Sequence, residues 1–475
     1  MRALTRVVSG APSKGEVLVK KMLLVAAAAA ATSYVPAVNA QASSAEISQI
    51  RQQLQLLIER VDKLEQENAT LKQENESLKS LTEYLRAETK GLRKDSASAA
   101  AEVGKVKGAD WASKVKLSGD IRYRYEGIHD EQVNAQGIQS AADRYRDRIR
   151  ARVNLEAKAT DSLLVGIGVA TTEGGDPRSS NQSLDGAFSR KSLDLDTAYF
   201  NWKFAEWGGL VGGKMKQPFV KPGQSVFWDS DVNPEGLALT LDSGIFFASA
   251  YNFWLDEVSG SKSARTSDAM MHGLQIGARL PLGASSLLLA AHYYDLSAAK
   301  GRTPYYVPSG TTGIPASLAN GNTTINLGTS AVPNAVLAND FQVIDVSAEF
   351  TTTMGELPLQ LWADVAQNRD ADEFDTAWGA GVLLGKASNY RTWELGASYQ
   401  KIEKDSLFGQ VVDSDFGGGT TDSKGWIIRA GYAPVKNWTL NATYFLNERN
   451  MDVANSVGDR GTDYDRFQLD FNVKF

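Results

Sequence analysis

This sequence contains no cysteine and only three histidines, His129, His272 and His292, spread far apart. Disulfides, thiolate catalysis and cysteine-based metal sites are thereby excluded, and a histidine metal cluster is not expected. No G-x-S-x-G elbow occurs, and nothing singles out one pair of carboxylates for hydrolysis. No enzyme class is indicated, and no cofactor is expected. Long hydrophobic runs are missing too. The mean hydropathy is −0.28, which excludes a bundle of membrane helices. It does not exclude a β-barrel, whose strands are only half apolar. Basic charge is not in excess: the formal net charge is −6, so nucleic acid is not an expected partner.

The basic residues Arg2, Arg6, Lys14, Lys20 and Lys21 face only Glu16 within the first forty positions. Lys20-Lys21 precede the apolar run Met22–Ala31, and Val38-Asn39-Ala40 follows. Charged start, short apolar centre and small-residue end predict a secretory signal peptide over 1–40, cleaved after Ala40. Residues 1–19 read as an extension upstream of a start near Met22.

Residues 46–93 carry a heptad repeat. Position a holds Ile47, Leu54, Val61, Asn68, Asn75, Thr82 and Thr89; position d holds Ile50, Leu57, Leu64, Leu71, Leu78, Leu85 and Leu92. Continuous d leucines predict a coiled coil, and the flanking pairs Arg60–Glu65, Glu67–Lys72, Glu74–Lys79 and Glu88–Arg93 are attractive in a parallel assembly. Asn at a with Leu at d favours a dimer, whereas a large barrel interface favours a trimer. The trimer is the expected homo-oligomer and the dimer the alternative. Residues 94–110, small and without periodicity, predict a linker.

From Trp111 to Phe475 the pattern changes to alternation. Phe467, Leu469, Phe471, Val473 and Phe475 alternate with Arg466, Gln468, Asp470, Asn472 and Lys474. Trp438, Leu440, Ala442, Tyr444 and Leu446 do the same one hairpin earlier. Period-two alternation means strands, and an apolar-out, polar-in order repeated along the chain suits a barrel in lipid. Sixteen strands can be counted, among them 113–126, 144–159, 235–242 and 463–475, with seven short turns and eight long loops. Eighteen strands follow if segment 296–340 hides a hairpin. The fold class is an all-β transmembrane barrel preceded by an α-helical coiled coil, placed in the bacterial outer membrane with the coiled coil in the periplasm. Trp and Tyr near strand ends, such as Trp202, Trp207, Trp393, Trp426 and Trp438, suit interfacial girdles against lipid and lipopolysaccharide. The strand ending in Phe471 and Phe475 resembles the signal read by the barrel assembly machinery.

Arg122 and Arg124 on the first strand, and Arg146, Arg148, Arg150 and Arg152 on the second, cannot face hydrocarbon, where each would cost about 2–4 kcal/mol. They either line water and attract anions or pair with the nearby acids Asp120, Glu126, Asp143, Asp147 and Glu156 in a structural network, and both can hold together. Lys214 and Lys216 extend this candidate pore lining. In the third long loop, Gln217–Pro234, the aromatics Phe219, Phe227 and Trp228 suit a loop folded inward rather than an external one. Lys221, Trp228, Asp229, Asp231 and Glu235 are its candidate constriction residues, whose acids facing arginines would set up a transverse field. An external packed loop is the alternative.

Arg144–Ala159, Asp176–Gln182, Lys191–Phe200 and Gly213–Leu239 resemble the bacterial "putative porin" family, the Trp-Asp-Ser-Asp-x-Asn-Pro-Glu-Gly run being the specific part. The resemblance implies homotrimers and passive diffusion of small hydrophilic, often anionic, solutes; it carries over no ligand site. The alternative function is an outer-membrane anchor whose coiled coil reaches toward the cell wall. On the channel reading, neutralising Arg146, Arg148 and Arg150 together is expected to lower anion preference and leave the barrel folded.

Overall fold

The computed structural model describes residues 44–105, 113–133, 139–257, 268–296, 298–452 and 461–475. The expected signal peptide, the end of the expected linker at 106–110 and Trp111 lie outside them. The chain divides into two units, Met1–Lys107 and Gly108–Phe475.

The first unit is one helix, α1, Ser44–Lys105. It runs twelve residues into the stretch expected to be a linker, because Ala99–Glu102 is rich in alanine, the best helix former. The d residues Leu57, Leu64, Leu71, Leu78 and Leu85 are all exposed on it. No described helix is long and apolar enough to cross a membrane, which says nothing about strands.

The second unit is a closed antiparallel barrel. In chain order its strands are β1 Val115–Val133, β2 Gln139–Lys158, β3 Leu163–Thr171, β4 Leu193–Ala205, β5 Gly208–Lys214, β6 Glu235–Asp242, β7 Phe246–Asp256 and β8 Ala269–Leu282. They continue as β9 Ser285–Leu296, β10 Phe341–Met354, β11 Leu357–Asn368, β12 Thr376–Gly385, β13 Thr392–Ile402, β14 Ser423–Val435, β15 Trp438–Arg449 and β16 Thr462–Lys474. Each pairs with its neighbour in sequence, and β1 pairs with β16, Arg124 opposite Asp470. The seam therefore leaves no open edge. A two-residue segment, Gln182–Ser183, adds to the upper part of β2 beyond the short β3. Segment 298–340 does hold a hairpin, Thr324–Asn326 with Ala335–Leu337, but it stands outside the barrel sheet. The strand number is sixteen, not eighteen.

The outer face is apolar as the alternation requires. Ile121, Leu155, Ile167, Leu239, Ile276, Val346, Val365, Ile428 and Val473 are exposed there. Trp202, Trp207, Trp393 and Trp438 mark the turn end, and Trp254, Tyr293, Trp378 and Trp426 the loop end. The inner face departs from the expected polar-in rule. Toward the loop end, inward-facing Tyr251, Phe253, Met271, Tyr294, Phe341, Val343, Ile402, Ile427 and Phe445 are buried in one hydrophobic cluster. Loop side chains complete it: Phe227 and Trp228, then Leu337, then Leu407, Phe408, Val412 and Phe416. Each large side chain so buried contributes about 1.5–3 kcal/mol. The barrel thus carries a second, internal core on one side of its lumen.

Candidate functional site

The site is what remains on the other side. Arginines alternate along β1 and β2 because only every second side chain points inward. The register sets Arg122 opposite Arg150 and Arg124 opposite Arg148, with Asp120 opposite Arg152 and Glu126 opposite Arg146 closing the ladder at either end. Arg122, Arg124, Arg148 and Arg150 are between 5 and 9% exposed. Like charges opposite each other are tolerable only with acids between them.

Those acids are present. Asp120 accepts from Arg150 Nη2 and Arg152 Nε, both at 2.7 Å. Glu126, with no exposed surface, takes Arg146 at 2.5 Å and Arg148 at 4.0 Å. Arg124 forms a two-pronged contact with Asp470 of β16, at 2.6 and 2.8 Å. Arg148 also reaches Glu173 at 3.1 Å, and Arg122 donates to Asn181. Loop residue Asp415 joins Arg124, at 3.0 Å, to Arg466 of β16. The network reading of the sequence therefore describes most of these arginines through Asp120 and Glu126, whereas Asp147 accepts from Tyr123, Glu156 from Tyr199, and Asp143 pairs with His129.

The loop Gln217–Pro234 lies inside the barrel. Its Val220 and Gly223 amides donate to Gln275 Oε1 of β8, at 2.8 Å, and to Glu349 Oε2 of β10, at 2.7 Å. Farther on, the Val226 amide donates to Gln400 Oε1 of β13 at 3.0 Å. Phe219 packs against His292 of β9 at a tilt, ring centres 4.6 Å apart, and meets Trp228 edge-on at 5.0 Å. Gly223 has φ +43° and sits where a Cβ would lie 2.1 Å from the Trp362 ring, so no other residue fits that crossing.

The candidate constriction residues separate by role. Asp231 alone faces the ladder: it accepts from Arg152 Nη1 at 3.2 Å and from Ser180 Oγ at 2.8 Å. Burial pushes its carboxyl up, but Arg150, Arg152 and Arg122 outweigh that and hold it below the ordinary range. Asp229 turns the other way and accepts from the Ser414 amide at 2.8 Å. Burial, then Asp413, push its carboxyl well up. Lys221 binds the carbonyl of Trp228 in its own loop, at 2.8 Å, and Trp228 belongs to the internal core. Lys214 pairs with Glu235 at 3.0 Å and donates to the Asn233 carbonyl at 3.1 Å, and both Lys214 and Glu235 line a polar cavity with Asp231. Lys216 pairs with Asp196 at 3.7 Å. Phe471 and Phe475 close the β1–β16 seam, where Phe475 exchanges two backbone hydrogen bonds with Gly119.

Two polar cavities follow this wall. One of about 370 Å³ is lined by Asp176, Ser179, Asp194, Asp196 and Asp231. Another of about 220 Å³ is lined by Lys116, Asn154, Glu156, Tyr199 and Lys216. They adjoin at the Asp196–Lys216 pair. Sequence reasoning missed the second inward loop, Glu403–Asp422, although Leu407, Phe408, Val411, Val412 and Phe416 in a supposedly external loop were the same signal that marked Gln217–Pro234.

A family model described as "Putative porin" matches residues 132–475. No curated protein matches the sequence. Solved structures similar to this chain include Pseudomonas putida OprB at high pH, 12% identical, covering 78% of this chain and 97% of that one with a TM-score of 0.48. Another is a loop-deleted OmpT, an outer membrane protein of Vibrio cholerae, 11% identical, covering 76% and 99% with a TM-score of 0.43.

Proposed function

The chain belongs to the "Putative porin" family, and from that membership we propose that it is an outer-membrane diffusion channel for small hydrophilic solutes, with a preference for anions. The observation that carries this is the loop Gln217–Pro234. It lies across the barrel interior with its apolar side against β7–β13 and its acid Asp231 toward the arginine ladder. Solutes pass along the polar wall of β1–β5, through the two cavities that adjoin at Asp196–Lys216. Seven arginines, the six of the ladder and Arg466, meet six carboxylates there, so compensation is nearly complete and the anion preference small.

The test is planar-bilayer recording of the purified protein across a salt gradient. Small discrete conductance steps with a weakly anionic reversal potential are expected. Steps with cation preference would keep the channel and discard the ladder as its filter. Stable insertion without steps would favour the anchor reading, which the internal hydrophobic core supports on its own account.

The unpartnered d leucines of α1 support an oligomerising stalk in the periplasm, about 90 Å long at 1.5 Å per residue. The homotrimer is the preferred assembly, the dimer its alternative. Deleting 46–93 is expected to leave insertion through the Phe475 signal intact and to lower the heat resistance of the oligomer. An unchanged oligomer band on unboiled gels would give the stalk another role.

A further inference from the structure

The arginine ladder is nearly neutral, so the charge that a passing ion meets lies on either side of it. Toward the loop end is the cavity of about 370 Å³. Five carboxylates line it, those of Asp176, Asp194, Asp196, Asp231 and Glu235, against the one ammonium of Lys214. Arg152 and Arg178, which answer Asp231 and Asp176, do not line it. Asp194 is exposed and has no cation partner among the described residues.

Toward the turn end the sign reverses. The cavity of about 220 Å³ carries Lys116 and Lys216 against Glu156, which accepts from Tyr199 Oη at 2.9 Å. Beyond it stand Lys158 at the end of β2, Lys203 near the end of β4 and Lys474 at the end of β16. They lie an even number of residues from inward-facing Glu156, Tyr199 and Asp470, and so face the lumen. All three are exposed, and none forms an ion pair among the described residues. Asp161 and Glu206, the nearest acids in sequence, sit in the adjoining turns. Across the lumen, Glu349 and Glu394 are taken up by the amides of Gly223 and Ala387, at 2.7 and 2.9 Å. A paired guanidinium has its field cancelled close by, whereas an unpaired ammonium in water is felt over a Debye length, about 10 Å at 0.1 M salt.

We infer that the conducting path is bipolar: an acidic zone on the loop side and a lysine zone on the turn side, in series across the Asp196–Lys216 pair, form the charge filter and make the channel rectify. The inference rests on the channel reading and sets its filter beside the ladder rather than in it. The acidic zone gathers cations and the lysine zone gathers anions. With the loop side positive, the field drives both toward the junction, carriers accumulate there and the path conducts well. With the loop side negative, both are drawn away and the junction is depleted. Current is therefore larger when the loop side is positive.

The test is single-channel recording of the full chain in a planar bilayer. Biotin on Asn389→Cys, in the exposed turn between β12 and β13, marks direction, because streptavidin lowers the current only from the chamber that holds the turn end. At about 0.1 M salt, the current with the loop side positive is expected to exceed the reverse current about twofold; at about 1 M, where charges are screened within about 3 Å, the two should be equal. Lys158→Gln with Lys203→Gln should abolish the rectification and move the reversal potential toward cations. Asp194→Asn should weaken the rectification too, yet move the reversal potential toward anions. If the double lysine variant does not fold, Asp194→Asn and the salt dependence decide. Symmetric currents at low salt, rectification that survives high salt, or variants that shift selectivity in the same direction would overturn the two zones and keep the channel. Insertion without any steps would remove the channel and this inference with it.

Discussion

Replacing Arg146, Arg148 and Arg150 together by glutamine is expected to destabilise the barrel, not merely to change its selectivity. This reverses what the sequence suggested. Glu126 has no exposed surface, and the two arginines that compensate it are both lost. Gln468 Nε2, at 3.5 Å, is a poor substitute. Asp120 keeps Arg152 but loses Arg150. Breaking a buried ion pair by removing one partner typically costs about 3–5 kcal/mol, because the remaining charge is left desolvated. The check is the urea midpoint of the reconstituted barrel. Adding Glu126→Gln to the triple variant should recover a large part of the loss, since the orphaned charge goes with it. A triple variant as stable as the parent would show that water reaches Glu126 and that the ladder is a solvated wall after all.

The second large effect concerns Asp231. Asp231→Asn removes the one constriction-loop charge that touches the ladder, at Arg152 and near Arg150 and Arg122. Losing a hydrogen bond to a charged group is worth about 1.5–3 kcal/mol, or roughly one to two decades in the ratio of docked to undocked loop. Two readouts should move together. Conductance rises as the loop leaves the wall, and the reversal potential shifts toward anions as arginine charge is uncovered. Conductance that rises with no change in selectivity would mean the arginines do not border the conducting path.

The strands were legible nearly to the residue, for a physical reason. Lipid outside and turns between enforce alternation and interruption, so the pattern marks 235–242 with both ends as observed. The first hairpin was not: β1 runs to Val133 where the reading stopped at Glu126. Beyond Ile128 both faces are polar, as in the His129–Asp143 pair, and alternation carries no signal. The positions of the arginines were legible, but their partners were not. Asp470, Asp415 and Asp231 are brought to Arg124 and Arg152 only by barrel closure and by two loops turning inward. The internal core escaped notice because Phe253, Ile402 and Phe445 stand among apolar neighbours that face lipid, and a strand apolar on both faces reads simply as a strand.

The ladder stands astride the seam where the first and last strands meet. Arg124 is satisfied only when Asp470 arrives opposite it, 346 residues later. A nascent barrel lacking β16 holds that guanidinium without its strongest partner. A final strand slipped by two residues in one direction would set Asp470 opposite Glu126 and leave Arg124 facing Asn472. The ion pairs inside the barrel are therefore also a proofreading device, rewarding the one register in which the chain has been completed and correctly closed.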